Sequence, residues 1–238
     1  MKKKFLLTLV TLILIMIFTY YKDDIMEFID IGLASPSNNV VSYNLDEIPP
    51  YSGDAYVIIN NNEPNFDESE KITKEFEIYN ALDSLGRAQV AYANVSLYTM
   101  PDEPRGSIGS VKPTGWHTTK YDIVEGKYLY NRCHLIGYQL TGENANKLNL
   151  ITCTRYMNTT GMLQFENKVA EYVRKTENHV LYRVTPMYDG DNLVATGVQM
   201  EAYSVEDNGE GVKFNVFVYN VQDGIDIDYK TGESKLSK

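Results

Sequence analysis

At 238 residues and 43% hydrophobic composition, the chain holds one well-buried domain and a targeting segment. Its net charge of −10 argues against nucleic acid held by overall positive potential. The charge is uneven, however: Arg105 to Lys175 carries ten Lys/Arg against five Asp/Glu, so that stretch is +5 and the remainder −15.

In chain order, Lys2, Lys3 and Lys4 precede an uncharged run from Phe5 to Tyr21, and Lys22-Asp23-Asp24 closes it. Basic residues ahead of an apolar core keep the N-terminus in the cytoplasm, and the run is close to the roughly 20 residues that cross a bilayer. Thr19-Tyr20-Tyr21 offers no small-x-small cleavage site, and no cysteine follows closely enough to carry a lipid. These features predict an uncleaved signal anchor over residues 1–21, at the cell membrane, with the domain outside the cell. Cleavage near Gly32-Leu33-Ala34, giving a secreted protein, is the alternative. Residues 22–48 read as an extracellular tether broken by Ser35-Pro36-Ser37-Asn38-Asn39 and Ile48-Pro49-Pro50, and residues 49–238 as the folded domain.

Within that domain Tyr56-Val57-Ile58-Ile59 predicts a short strand, and Asn60 to Pro64 a polar turn. Phe76 to Leu85 fits either a short helix or an extended arm. Leu82 to Arg87 reads as a turn feeding a strand over Ala88 to Leu97, and the Gly, Pro and Ser of Arg105 to Gly115 predict loop. Tyr121 to Tyr138 reads as a strand pair joined at Glu125-Gly126-Lys127, its second strand delivering His134. Met162, Phe165, Val169, Tyr172 and Val173 recur at helical spacing, predicting a helix over Gly161 to Thr176 with an N-cap region at Asn158-Thr159-Thr160. Three strands follow, His179 to Met187, Asn192 to Tyr203 and Val212 to Val221, separated by Asp-Gly and Asn-Gly turns that signal an antiparallel meander. The fold class is α+β: an antiparallel sheet with a strand-loop-helix site on one side.

The chemistry gathers between Arg132 and Glu166. An imidazole titrates near neutral pH, so His134 is the candidate base. Asn158 and Glu166 offer oxygen to a hard cation, and Mg2+ accepts so sparse a set because it keeps several waters. Arg132 and Arg155 present the bidentate fork that suits phosphate. A base, a cation and phosphate-holding guanidiniums are what phosphodiester cleavage needs, and an enzyme that turns over needs positive potential only along its cleft. Each residue alone has an ordinary structural role: a strand histidine, an N-cap asparagine, a solvated helix glutamate. Their combination within 35 residues brings the functional reading level with the structural one. Cys133 and Cys153 either bridge or lie buried as free thiols. A zinc site from Cys133, His134, Cys153 and His117 is disfavoured, since adjacent Cys-His cannot easily converge on one tetrahedron.

Asn131-Arg132-Cys133-His134-Leu135-Ile136-Gly137, Asn149-Leu150-Ile151-Thr152, Thr154-Arg155-Tyr156-Met157-Asn158 and the helix of Glu166 resemble the DNA/RNA non-specific endonucleases with a ββα-metal site. The similarity is greatest to the branch of secreted streptococcal DNases and competence DNA-entry nucleases. It extends over most of residues 50–232, including Lys112-Pro113-Thr114-Gly115-Trp116 and the terminal Asp-Tyr-Lys-Thr-Gly. The resemblance implies His134 as general base and Asn158 as direct Mg2+ ligand, with Mn2+ as a substitute. It places Glu166 in the cation's water shell and Arg132 near the transferred phosphate, with products bearing a 5′-phosphate and a 3′-hydroxyl. Arg155 and Lys112 complete the candidate substrate contacts; Glu171 or Glu177 stands as an alternative to Glu166. Asn131 and Cys133 depart from the family's Asp-Arg-Gly-His, and Cys133 implies either a position with no need of positive φ or a site that tolerates strain. The implied partners are DNA, RNA as a second substrate, and the membrane through the N-terminal segment. Those two departures also motivate another function, a catalytically inactive surface-anchored module that binds nucleic acid or a wall component.

Overall fold

The computed structural model describes residues 44–238, so the apolar run Phe5–Tyr21 and the tether as far as residue 43 lie outside the described residues. No helix among the described residues is long and apolar enough to cross a membrane. Leu45–Glu47 form a 3-10 turn capped by Asn44, and Leu45 and Ile48 pack against Phe217 and Tyr219. Packing of the domain thus starts ahead of residue 49.

The strands are β1 (Tyr56–Ile58), β2 (Phe76–Tyr79), β3 (Ala91–Val95), β4 (Tyr130–His134), β5 (Leu150–Thr154), β6 (Val180–Met187), β7 (Gly197–Ser204), β8 (Lys213–Tyr219), β9 (Ile225–Ile227) and β10 (Ser234–Leu236). Among the described residues two α-helices accompany them, the single turn α1 (Tyr138–Thr141) and the longer α2 (Leu163–Thr176). Six strands form one antiparallel sheet in the order β1-β8-β7-β6-β3-β2, while β4 and β5 pair separately, as do β9 and β10. The expected α+β class and the β6-β7-β8 meander are both present. Gly190 and the Asn208-Gly209 pair take positive φ in the turns between those strands.

Period-2 alternation gives the sheet two unlike faces. Val180, Tyr182 and Val184 align with Met200, Ala202, Phe214 and Val216, and this face meets Phe165, Val169 and Val173 of α2 in the main core. The opposite face buries polar groups, several of them paired across the strands. Arg183 Nε donates to Glu201 at 2.8 Å, Asn65 N donates to the other Glu201 oxygen at 2.8 Å, and Gln199 donates to Asn215 at 2.9 Å.

Three local expectations change. Phe76 to Leu85 is the edge strand β2 followed by a turn that Asp83 closes with bonds from Leu85 N and Arg87 N. The strand pair expected over Tyr121 to Tyr138 shrinks to one bridge, Lys120–Tyr128. Residues 121–127 are spent in turns with Gly126 and Lys127 both at positive φ, and β4 pairs with β5 instead. The helix also starts earlier than Gly161: a π-helical stretch over Met157–Met162 runs directly into α2. Helical residues begin before it, at Arg155, and Thr154 caps that start, its hydroxyl oxygen accepting from Met157 N at 3.0 Å while the hydroxyl donates to Val221 O at 2.6 Å. Thr154, not Asn158, is the capping residue, so the Asn158 side chain is released from that task.

Candidate active site

β4, β5 and the helix after them form a ββα unit whose geometry follows from three fastenings. Cys133 and Cys153 are joined in a disulfide with Cα atoms 5.9 Å apart, and both are fully buried in the main core. Cys133 lies in β4 without positive φ, one of the two readings its replacement of glycine left open. Asn149 locks the chain after His134: its carboxamide accepts from Ile136 N and donates to Ile136 O, both at 2.9 Å. The third fastening is Thr154, tied at once to the helix start and to Val221. The alternation of β4 then sends Cys133 into the core and sets Arg132 and His134 on one face.

His134, Arg132, Arg155, Asn158 and Glu166 line one cleft of about 560 Å³, with Asn131, Tyr130, Tyr128, Trp116 and Arg105. Lys112 does not join them; it is exposed and absent from the cleft lining. Glu171 and Glu177, further along, do not line it either.

His134 is 6% exposed, and its Nε2 lies 2.7 Å from the carbonyl of Asn144. A carbonyl can only accept, so Nε2 carries the proton and the lone pair is on Nδ1. Burial lowers the His134 pKa from its ordinary value, the Asn144 carbonyl opposes that, and the Arg105 charge adds to it. Arg105 reaches Nδ1 only at a long 3.4 Å. In its neutral form the ring thus has Nδ1 as its proton-accepting atom.

The side chains of Asn158 and Glu166 make no hydrogen bond or ion pair with another described residue, although both line the cleft, whereas the Asn158 carbonyl accepts from Leu163 N within the helix. Glu166 is half-buried as a residue, and burial of its carboxyl pushes its pKa up to about 7, with Arg105 opposing. A β-carbon on Gly137 would stand 2.4 Å from Glu166 Oε2, so the carboxylate rests directly against that glycine. An uncommitted amide oxygen beside a carboxylate strained toward its neutral form fits a hard divalent cation, whose charge would favour the ionised form. Among the described residues no cluster of three or more His, Cys, Asp or Glu is placed to hold a metal ion.

The arginines differ. Arg132 donates through Nε to Val111 O and through a terminal nitrogen to Gly109 O at 3.0 Å, and its guanidinium lies 3.9 Å from the Trp116 ring. Arg155 makes only a loose 3.7 Å pair with the exposed Glu125, and its Nε is buried without a partner. An orphaned guanidinium nitrogen at a cleft wall marks a place for an anionic ligand.

Sequence reasoning missed Arg105 and the Asn144 carbonyl, and it named Trp116 without giving it a role. Arg105 arrives on an irregular loop, and a backbone acceptor leaves no residue signature. Asn149 sat in a quoted motif without a role.

Comparison with known proteins adds to this geometry. Residues 66–206 match the family described as DNA/RNA non-specific endonuclease. Crystal structures of NucA from Streptococcus agalactiae share the fold at 26% identity, each covering over nine-tenths of NucA. The magnesium-bound form has a TM-score of 0.69 and covers 80% of this chain; the metal-free form has 0.68 and covers 81%. Sda1 nuclease with bound zinc shares the fold at 22% identity and a TM-score of 0.63, covering 82% of this chain and 100% of Sda1.

Proposed function

The chain belongs to the DNA/RNA non-specific endonuclease family and is an endonuclease, and on that premise we propose a Mg2+-dependent hydrolysis of DNA, with RNA as a second substrate, in which His134 is the general base. Mn2+ is the expected substitute. The observation that carries this reading is the fixed tautomer of His134 in a cleft shared with the uncommitted Asn158 and Glu166.

Nδ1 of His134 takes one proton from the water that attacks phosphorus, the P–O3′ bond breaks, and O3′ takes a proton from solvent water, which leaves a 5′-phosphate and a 3′-hydroxyl. Arg155, through its unpartnered Nε, and Arg132, through the donors not spent on Gly109 and Val111, hold the non-bridging oxygens. Asn158 and Glu166 would hold the cation, which when bound offsets negative charge on the phosphate and the leaving oxygen. Every one of these groups addresses the sugar-phosphate backbone, which supports cutting without sequence preference. The apolar run Phe5–Tyr21 supports action outside the cell by an anchored enzyme.

The test is the full chain with supercoiled plasmid in Mg2+, with EDTA and His134→Ala as controls. Nicking and smearing should vanish with EDTA, and His134→Ala should lose about 10²–10⁴-fold in rate. Intact plasmid with folded wild-type protein would overturn the reading, and discrete fragments would overturn the lack of sequence preference.

A further inference from the structure

We propose that Trp116 is a positioning residue for Arg132, and that the C-terminal turn Asp228–Gly232 holds Trp116 in place. This rests on Arg132 holding the reacting phosphate, as proposed above. Two stretches noted in the sequence, Lys112 to Trp116 and the Asp-Tyr-Lys-Thr-Gly of the tail, have no part in the chemistry, yet they meet. The Trp116 ring supports the Arg132 guanidinium at 3.9 Å and packs against the cluster of Val124, Leu129, Tyr130 and Ile225. A planar cation on an indole face is attracted by the ring quadrupole and loses freedom to swing. Trp116 therefore selects the direction of the donors that Gly109 and Val111 leave free.

Trp116 itself is held from the tail. The Asp228 carboxylate accepts from Lys230 N at 3.0 Å and from the Thr231 hydroxyl at 2.8 Å, closing a turn whose last residue, Gly232, has φ +83°. A β-carbon there would stand 2.0 Å from Gly115 O, so the tail backbone presses directly on the residue before Trp116. Thr231 O lies 3.0 Å from His117 Nε2, and Gly232 O accepts from the Tyr130 hydroxyl at 2.9 Å. On the other side Thr114 is bonded to Leu193 O at 2.6 Å and to Thr152 at 2.8 Å. The loop bearing Trp116 is thus gripped by the tail, by the β6–β7 connection and by β5.

The test is a double-mutant cycle on the full chain in Mg2+, reading kcat and KM separately. Trp116→Leu should lower kcat about tenfold with KM little changed, and Trp116→Phe should retain most of the rate. In an Arg132→Ala background Trp116→Leu should add almost nothing. His117→Ala, which removes one tail contact and leaves the indole, should show a smaller loss that also disappears in that background. Additive losses would overturn the proposal, because a merely structural tryptophan costs the same whether or not Arg132 is present. Wild-type kcat for Trp116→Leu would overturn it as well. Trp116 is the only tryptophan, so Arg132→Ala should change the emission of the folded protein; an unchanged spectrum would overturn the contact itself. An inactive wild type would sink the nuclease reading, and full activity in Arg132→Ala would sink the role of Arg132, so the three failures are distinguishable.

Discussion

Gly137→Ala separates catalysis from stability. The added β-carbon would lie 2.4 Å from Glu166 Oε2 and 2.8 Å from its Cδ, so the carboxylate must retreat by about 1 Å to reach ordinary contact. The retreat is cheap for the fold, because the atoms that move are the free end of a flexible side chain. The backbone at Gly137, φ −57° and ψ 142°, also suits alanine, and unfolded-state entropy favours alanine by about 0.4–1 kcal/mol. For the reaction it is expensive: a misplacement of about 1 Å at a positioned group costs about 10²-fold. The assay is the initial rate of plasmid nicking over a series of Mg2+ concentrations, beside a thermal melt. The expected result is a rate down about a hundredfold, a higher Mg2+ requirement and an unchanged or slightly raised melting temperature. A wild-type rate at wild-type Mg2+ would refute the assignment of Glu166, since its carboxylate cannot stay where it is.

Reduction of the Cys133–Cys153 bridge, which spans 20 residues, should lower unfolding free energy by about 3 kcal/mol, read as a drop in the urea midpoint with dithiothreitol. His179 lies 2.6 Å from Glu206 and 3.2 Å from Glu75; burial disfavours its charge, but hydrogen bonds to Glu206 and then Glu75 prevail and raise its pKa above the ordinary 6.5. Its contribution to stability is therefore complete below pH 6.5 and is lost as pH rises through the folded value, so urea midpoints should fall on the alkaline side and Glu206→Gln should flatten that fall. Arg155→Ala should raise KM and reduce the salt slope of DNA binding by about one, whereas Lys112→Ala, outside the cleft, should do less.

What was legible in the sequence was what is local. His134, Asn158 and Glu166 come together because a strand pair and the helix that follows it are contiguous, and the meander announced itself through its Asp-Gly and Asn-Gly turns. What was illegible depends on distant chain or on backbone. Thr154 and Asn158 are both good capping residues, and only the packing of Thr154 on Val221, 67 residues away, decides between them. A π-helical stretch has no residue signature, so the helix seemed to begin at Gly161. The alternation before Tyr130 suggested a strand, but Gly126 and Lys127 at positive φ curl that segment back on itself. The positive charge of Lys112 said nothing of its direction.

The two departures from the family motif bear on whether the site works, and the structure weakens the case they made for an inert binding module. Cys133 lies in the core, bonded to Cys153, with no part in the cleft lining; its exchange for glycine adds a staple behind β4 and removes nothing from the reaction. Asn131 does line the cleft, and an amide there takes away a negative charge. What remains is Arg105, Arg132 and Arg155 against the single carboxylate of Glu166. A cleft with that excess attracts a polyanion locally, whatever the −10 of the whole chain.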